Sequence, residues 1–388
     1  MIDLAQVRAD TAGCEDIIHL NNSGSSLPPR AVVDAMVGYL RDEELRGGYE
    51  VFADRNDELE LFHTSTAELL GCSPGDVAFT SSGSDGWWRA FSSVPLEPGD
   101  RILVSRSEYQ SNAFGWLSAQ GRGVTVDVVP NTPEGDLDVA ALQSMLDEDV
   151  ALVSMTMISM SNGAVQPVSQ VGDALANHRA IFLVDACQAA GQLRLDVGAL
   201  GCDFLVYTGR KFMRGPRGTG ALYVRPGVLD QLGAPAFLDG RSAVWTNDNA
   251  FQLAEGAKRY EFGEVGFGGK LGLAVATKYL LDIGIDAIEA RVQVLSTYLR
   301  QGLASAGITV LDEGTRKSGI VTFNREGVAA SVVQAHLAAH RINVSAPERG
   351  NAQLDIGARG IDQLVRAGVH YFNTESELDK TLEVLSEV

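Results

Sequence analysis

The chain has 388 residues, enough for two or three domain-sized cores, and its 45% hydrophobic and 21% charged residues are typical of a globular protein. Its formal net charge of −19 argues against a nucleic-acid partner, because phosphates attract basic surfaces. No apolar run approaches the ~20 residues of a membrane span, and the N-terminal MIDLAQVRAD lacks the pattern of a signal peptide. We therefore expect a cytoplasmic protein without a membrane partner.

The cysteines and histidines do not predict a metal centre. The chain has six histidines and only four cysteines: Cys14, Cys72, Cys187 and Cys202. No CxxC spacing occurs among them, so neither a zinc site nor a disulfide framework is predicted. The small number of cysteines agrees with a reducing compartment.

Short apolar runs alternate with amphipathic segments over the first two thirds of the chain. Seven strands are predicted, at 77–80, 101–105, 125–129, 151–155, 180–185, 204–207 and 221–224. Helices are predicted between them, for example at 138–146 and 168–177. This alternation is typical of βαβ units and predicts an α/β fold with a mainly parallel sheet. Ligands of such sheets bind beyond the carboxyl ends of the strands, so polar residues directly after strands are candidate site residues.

The pattern changes after about residue 240. GEVGFGGKLGLAVATKYLLDIG begins with glycines and continues as a long apolar helix, and GIDAIEARVQVLSTYLRQGLASAG predicts a second helix. Strands are predicted in GIVTFN and INVSAP, and a last helix in ESELDKTLEVLSEV. We divide the chain into an N-terminal segment (1–25), a large domain (26–255) and a smaller C-terminal α/β domain (256–388).

The first candidate site follows the strand at 77–80, in FTSSGSDGWWRAF. Ser82, Gly83 and Ser84 offer hydroxyls and free backbone N–H groups where a helix is predicted to begin. Such a turn binds anions, because its N–H groups and the helix dipole point at the ligand. A serine-rich helix cap would have the same sequence, so both interpretations stay open.

The second candidate site is FLVDACQAAGQ, in which Asp185 ends an apolar strand. A carboxylate at that position either caps a following helix or pairs with a cationic atom of a ligand. Gln188, three residues later, could add a polar contact beside it.

The third candidate site is VYTGRKFMRGPRGTG, which connects two apolar strands. Thr208 and Arg210 could bind a phosphate, and Lys211 could form a Schiff base or be an ordinary surface lysine. An anion-binding turn, a strand-end aspartate and a lysine, each after its own strand, form the set that pyridoxal phosphate needs. The phosphate needs an anchor, the pyridine nitrogen a carboxylate, and the aldehyde an amine.

These motifs resemble, over almost the whole chain, pyridoxal-phosphate enzymes of fold type I in the class V aminotransferase and cysteine desulfurase family. The resemblance implies pyridoxal 5′-phosphate as the cofactor and a small amino acid as the substrate. It also implies a large domain with a mainly parallel seven-stranded sheet, a smaller C-terminal α/β domain, and a homodimer.

The resemblance implies roles for several residues. LNNSGSSLPP is similar to the family's N-terminal segment near the substrate, which involves Asn21, Ser23 and Gly24. In SEYQSNAFGW, Tyr109 stands where the family has a histidine that stacks on the cofactor ring. SMSNGAVQP resembles the segment whose asparagine contacts the cofactor's phenolic oxygen, which implies that role for Asn162.

Further roles follow from the same resemblance. Asp185 would pair with the pyridinium, Gln188 would assist at the phenolic oxygen, and Lys211 would hold the aldehyde. Arg210 replaces a common histidine and would still contact the phosphate. LVRAGVHYFNT is similar to the family's RxSxHxYNT pattern, which implies that Arg366 binds the substrate's α-carboxylate.

One position departs from the family. In YEFGEVGFGG, Glu264 stands where a threonine or serine commonly reaches the neighbouring subunit's phosphate. A contact between Glu264 and a partner subunit's cofactor is therefore not implied.

The reaction class depends on a missing cysteine. A cysteine desulfurase needs a cysteine nucleophile in the C-terminal part, and this chain has no cysteine after Cys202. RKFMRGPRGTG resembles the lysine segment of C–S lyases, including enzymes of lincosamide antibiotic pathways that act on S-cysteinyl sugar conjugates. We therefore expect β-elimination of a thiol from an S-substituted L-cysteine. Decarboxylation coupled to oxidative deamination, transamination and a non-catalytic binding module are the alternatives.

Overall fold

The computed structural model describes residues 2–388, which form a mixed α/β fold. The strands are β1 (Ile18–His19), β2 (Val77–Thr80), β3 (Arg101–Val104), β4 (Thr125–Val128), β5 (Val150–Thr156), β6 (Ile181–Asp185), β7 (Phe204–Thr208), β8 (Gly220–Val224), β9 (Ala243–Asn247), β10 (Ala250–Leu253), β11 (Thr309–Val310), β12 (Ile320–Asn324), β13 (Ile342–Asn343) and β14 (Val365–Gly368). The helices are α1 (Leu4–Ala9), α2 (Arg30–Arg46), α3 (Gly48–Asp54), α4 (Asn56–Leu70), α5 (Gly83–Ser93), α6 (Gln110–Gln120), α7 (Val139–Met145), α8 (Val168–Leu175), α9 (Val197–Leu200), α10 (Phe267–Ile283), α11 (Ile285–Ser305), α12 (Ala330–Ala339) and α13 (Glu375–Leu385).

The central sheet has seven strands in the order β2-β8-β7-β6-β5-β3-β4. Strands β4, β3, β5, β6 and β7 pair in parallel, and β8 is antiparallel to both of its neighbours. All seven predicted strands are present, with ends that agree to within one residue. The predicted fold class, with its mainly parallel sheet, is confirmed.

Helices cover both faces of this sheet. Alternate residues of each strand belong to two different hydrophobic clusters, for example Phe182 and Val184 to one cluster and Ile181 and Leu183 to the other. Side chains alternate between the faces of a strand, so each cluster lies on one face. Strands β5 to β8 are buried along their whole length, which explains their continuous apolar sequence.

The C-terminal part contains a second sheet, of order β11-β12-β14, with antiparallel pairing. Helices α11, α12 and α13 contribute to its core, and so does Leu20 from the N-terminal segment. The INVSAP strand is shorter than predicted: β13 covers two residues and pairs in parallel with β1. This pairing joins the N-terminal segment to the C-terminal part.

Two features of the fold were not predicted. Helices α2 and α4 pack against α10, so the helix that begins the predicted C-terminal domain lies on helices of the predicted large domain. The β9–β10 hairpin is largely exposed. The division at residue 256 stays a prediction. Within residues 2–388, no helix combines the length and the apolar character needed to cross a membrane.

Candidate active site

Two connected cavities lie at the carboxyl ends of the parallel strands, where ligands of such sheets are expected. The inner cavity is lined by Ser82, Gly83, Ser84, Ser107, Tyr109, Thr156, Ile158, Met160, Asp185, Cys187, Gln188, Thr208, Arg210 and Lys211. The outer cavity shares Tyr109, Met160, Gln188, Arg210 and Lys211, and adds Ser23, Gly24, Gln334, Ser345, Ala346, Pro347, Asn351 and Arg366. The two cavities together bring most of the predicted site residues into one place.

The structure places Asn162 outside the lining of both cavities, and its contact with the cofactor stays a prediction. Asn162 is buried but lines neither cavity. Its amide nitrogen donates to Glu313 Oε2 at 3.2 Å and to Asp355 Oδ2 at 3.3 Å. Its Oδ1 accepts the N–H of Ala164 at 3.0 Å. The side chain of Met160, two residues earlier, lines both cavities instead.

The N-terminal segment reaches the outer cavity through two of its three predicted residues. Ser23 and Gly24 line the cavity, whereas Asn21 does not. The amide of Asn21 lies against Gly24, where an added Cβ would come within 2.5 Å of Asn21 Oδ1. The backbone of Asn21 pairs with Gly368, which turns this residue toward the C-terminal sheet.

Asp185 is fixed at the end of β6 by two donors. Its Oδ1 accepts the N–H of Cys187 at 2.8 Å, and its Oδ2 accepts Asn112 Nδ2 at 3.0 Å. No helix begins directly after it, since α9 starts at Val197, so Asp185 does not cap a helix. A buried carboxylate in this position can pair with a cationic atom of a ligand in the inner cavity.

Glu108 is a second buried carboxyl group near Asp185, and sequence reasoning missed it. Its Oε1 accepts Ser105 Oγ at 3.3 Å and Thr156 Oγ1 at 3.5 Å, while its Oε2 has no partner. Burial, and then the negative charge of Asp185, raise the pKa of Glu108 to about 8. Glu108 is therefore mostly protonated at neutral pH. The only signal in the sequence was a glutamate two residues before the start of a helix.

Lys211 follows β7 and faces both cavities. Its Nζ lies 5.8 Å from the centre of the Tyr109 ring, which belongs to the residue before α6. Burial is the largest influence on Lys211 and lowers its pKa. A lowered pKa increases the fraction of neutral amine, which is the form that attacks an aldehyde or accepts a proton.

The start of α5 forms part of the wall of the inner cavity. Ser82 is the N-cap residue, and its hydroxyl accepts the N–H of Asp85 at 3.0 Å. Ser82 therefore caps the helix, and because the same turn lines the cavity, anion binding stays a prediction for it. The Arg210 guanidinium donates to the Gly24 carbonyl, and Thr208 Oγ1 donates to the Thr219 carbonyl at 3.3 Å. These groups place a helix N-terminus and a guanidinium where an anion can bind.

Arg366, on β14, lies at the wall of the outer cavity and is 7% exposed. It donates to Ser345 Oγ at 3.1 Å and to the Met160 carbonyl at 3.4 Å. Within residues 2–388 no carboxylate pairs with it, and burial lowers its pKa to about 10. A buried guanidinium without a carboxylate partner can bind a carboxylate ligand through two hydrogen bonds.

Residues 345–362, named here the C-terminal strap, contribute Ser345, Ala346, Pro347 and Asn351 to the wall of the outer cavity. The strap is anchored by Asp355, which is fully buried and accepts Arg106 at 2.9 Å, Arg359 at 3.4 Å and the hydroxyl of Ser161. Asn351 of the strap lines the cavity and donates to Gln110 Oε1 at 3.3 Å. The strap contains no cysteine.

Of two further residues considered in the sequence, Glu264 lies outside the cavities and Cys187 lies in the wall of the inner one. Glu264 is exposed and lines neither cavity. Cys187 lines the inner cavity, where burial raises the pKa of its thiol well above the usual value. Its thiol therefore stays protonated and is a poor nucleophile.

The chemistry of the inner cavity fits pyridoxal 5′-phosphate. The α5 N-terminus and Arg210 can hold a phosphate, Asp185 a protonated pyridine nitrogen, and Lys211 an aldehyde. Two buried polar atoms at the cavities, Gln188 Oε1 and Ser23 Oγ, have no hydrogen-bond partner within residues 2–388. Buried polar atoms are rarely left unpaired, so these two indicate a polar ligand.

Comparison with known proteins agrees with this chemistry. The family model described as aminotransferase class V matches residues 18–381. A probable cysteine desulfurase of Methanothermobacter thermautotrophicus is 28% identical over 395 residues, which cover 98% of this chain and 97% of the relative. An apo structure of a cysteine desulfurase from Thermococcus onnurineus NA1 has a TM-score of 0.92 at 27% identity, covering 100% of this chain and 98% of the other. A complex of the cystine C–S lyase C-DES with cysteine persulfide has a TM-score of 0.87 and shares the fold at 22% identity, covering 97% and 99%.

The contact between α5 and Cys187 generates the first prediction, which concerns Gly83→Ala. A Cβ at Gly83 would lie 2.2 Å from Cys187 Sγ, so the wall of the inner cavity must shift. We expect the dissociation constant of pyridoxal 5′-phosphate to rise about tenfold or more, since overpacking costs roughly 1–3 kcal/mol. Fluorescence titration of the apoprotein measures this constant.

The double variant Gly83→Ala/Cys187→Ala tests the cause, because it removes the sulfur that the new methyl group would meet. We expect it to recover most of the affinity. Gly38→Ala is the control, because nothing lies within 4 Å of its added Cβ. Equal weakening in the single and double variants would contradict the steric explanation.

The second prediction concerns Glu108→Gln, which mimics the protonated side chain. The folded state holds a proton on Glu108 up to about pH 8, whereas the unfolded state releases it near its usual pKa. The free energy of unfolding of the wild type should therefore fall relative to that of the variant as pH rises from about 5 to about 8. The slope should reach at most about 1.4 kcal/mol per pH unit. Urea unfolding across this range measures the difference.

The exposed Glu97→Gln is the matched control, and its stability relative to wild type should not depend on pH in this way. A difference between wild type and Glu108→Gln that stays constant from pH 5 to pH 8 would show that Glu108 is ionised in the folded protein.

Proposed function

Because the chain belongs to the class V aminotransferase family and is a pyridoxal 5′-phosphate-dependent enzyme, we propose that it cleaves the C–S bond of an S-substituted L-cysteine by β-elimination. The substrate and one water yield a thiol, pyruvate and ammonia. The observation that carries the proposal is an outer cavity lined by a lysine and by a buried guanidinium that has no carboxylate partner, with no cysteine on the strap that forms part of its wall.

The chain's own residues have distinct tasks in this proposal. When bound, the cofactor withdraws electrons from the bonds at the substrate's Cα. Asp185 holds the pyridine nitrogen, and the α5 N-terminus with Arg210 holds the phosphate. Gln188 adds a polar contact, since its Oε1 is unpaired at the junction of the two cavities.

Lys211 and Arg366 act on the amino acid. Arg366 binds the α-carboxylate, which fixes the position of Cα relative to the lysine. Lys211 is suited to accept the Cα proton, since its lowered pKa favours the neutral amine. The Tyr109 ring lies beside the amine, with its centre 5.8 Å from Nζ. Loss of the Cα proton, with a sulfur substituent on Cβ, allows the thiolate to leave.

Sulfur transfer to the protein is disfavoured in this site. Within residues 2–388, Cys187 is the only cysteine that lines either cavity, and its thiol stays protonated. The sulfur is therefore expected to leave with its substituent as a free thiol.

The outer cavity supports a polar, uncharged substituent on sulfur. It has a volume of about 290 Å³, and Gln334, Asn351 and Ser345 provide amide and hydroxyl groups at its wall. Ser23 Oγ is unpaired there. Hydroxyl groups of a sugar match such donors and acceptors, so an S-cysteinyl sugar conjugate of the kind found in lincosamide antibiotic pathways is the substrate we propose to test first.

We also propose a homodimer as the working state. The β9–β10 hairpin exposes Trp245 and Phe251, which are 79% and 55% exposed, and Phe237 nearby in sequence is 77% exposed. A subunit interface would cover such a patch. Analytical ultracentrifugation that finds a monomer would contradict this state.

The decisive experiment identifies the products. The holoenzyme is incubated with S-alkyl-L-cysteines and an S-glycosyl-L-cysteine, and thiol, pyruvate and ammonia are expected in equal amounts. Release of carbon dioxide with uptake of oxygen would instead indicate oxidative deamination. A requirement for an oxo acid would indicate transamination, and alanine with sulfane sulfur would indicate a desulfurase.

A further prediction concerns Lys211→Ala. Borohydride reduction of the wild-type holoenzyme, followed by peptide mass mapping, should label Lys211 and leave the variant unlabelled. Loss of the proton acceptor should lower kcat by roughly 10²–10⁴-fold. The exposed Lys258→Ala is the control and should retain both the label and the activity. A label on another lysine would overturn the assignment.

A further inference from the structure

Two histidines and a glutamate lie close together at the end of α12, remote in sequence from the cofactor-binding motifs. His336 and His340 are four residues apart, so they project from the same side of the helix, and their ring centres are 4.7 Å apart. Glu387 follows α13 and reaches the same place. One potential ligand atom from each residue lies within 4.8 Å of the other two.

Hydrogen bonding determines which ring nitrogen of His340 carries the lone pair that can bind a metal. Its Nδ1 lies 3.0 Å from the His336 carbonyl oxygen, which can only accept, so Nδ1 carries the proton of the neutral ring. The lone pair is then on Nε2, and this atom lies 4.0 Å from Glu387 Oε2. A backbone hydrogen bond of this kind orients the ring of a metal-binding histidine.

The cluster also has unpaired groups. His336 Nε2 is shielded from solvent but has no hydrogen-bond partner within residues 2–388. Over the same residues, no lysine or arginine forms an ion pair with Glu387, whose only cationic neighbour is His340 when that ring is protonated. Two acceptors, the free nitrogen and the carboxylate, therefore face each other without a cation between them, on a protein of net charge −19.

We propose that His336, His340 and Glu387 form a binding site for a divalent transition metal, with Zn²⁺ as the best match. Zinc prefers imidazole nitrogen and carboxylate oxygen at about 2.0–2.2 Å, and three protein ligands leave a fourth position for water. Tetrahedral ligands at such distances are roughly 3.4 Å apart. The three side chains therefore need to close by little more than about 1 Å, and two of them are exposed and free to move.

The metal would connect two elements of the C-terminal part. His336 and His340 lie at the end of α12, and Glu387 lies two residues after the end of α13. Metal binding would tie the end of the chain to α12, so it should stabilise the folded state by mass action. The site shares no residue with either cavity, and the proposal does not depend on the reaction that the enzyme catalyses.

The test uses the intact holoenzyme without an affinity tag, after dialysis against a chelator. Isothermal titration with zinc chloride should give one bound zinc per chain in wild type. His340→Ala should weaken binding at least about tenfold, and Glu387→Gln should weaken it as well. Both residues are exposed, so neither variant should impair folding.

Glu383→Gln is the matched control, because it removes an exposed carboxylate one helical turn earlier that pairs with Lys380 at 2.9 Å. Zinc should raise Tm in wild type and in this control, and should raise it less in His340→Ala and Glu387→Gln. Absence of zinc binding in wild type would overturn the proposal. Equal affinity in wild type, His340→Ala and Glu387→Gln would also overturn it, since zinc would then bind elsewhere.

Discussion

The charges of the site are organised around the carboxylate of Asp185. Two N–H donors fix it at the end of β6, and no cationic side chain of the chain pairs with it within residues 2–388. A buried, unpaired carboxylate is unfavourable unless a ligand supplies positive charge. Glu108 stays protonated beside it, so a second negative charge does not add to this cost. The site is therefore electrostatically incomplete without a cationic group, which a protonated pyridine provides.

The buried arginines of the site also lack partners of opposite charge. Arg366 and Arg210 are both desolvated, and burial lowers the pKa of each. Neither is paired with a carboxylate in the part of the chain that the structure describes. A phosphate and an amino-acid carboxylate would compensate these two cations, and the protonated pyridine would compensate Asp185. Cofactor and substrate are thus expected to bind strongly and to stabilise the folded state.

The central sheet could be predicted because its strands are buried on both faces and therefore form continuous apolar runs. The positions of Asp185 and Lys211 at the inner cavity could be predicted as well, since Asp185 ends one such strand and Lys211 comes three residues after another. Asn162 lies outside the lining of both cavities whereas Met160 lines them, and a sequence does not show which residue of a loop faces a cavity. Arg106 and Asp355 are 249 residues apart in sequence, so the contact that anchors the C-terminal strap has no local signal. Glu108 was missed for a similar reason, since its burial depends on β5 and β6.

The anchoring of the strap has a consequence for the reaction. A residue that accepts sulfur from the substrate must approach the leaving group and then move away to release it. In this chain, the fully buried carboxylate of Asp355 ties the strap to Arg106 and Ser161 of two other segments. Removing one partner of such a buried network is expensive, so large movements of the strap are disfavoured. A wall that is fixed and lacks a thiol suits a reaction in which the sulfur departs with its own substituent, and the open, polar outer cavity gives that thiol a path to solvent.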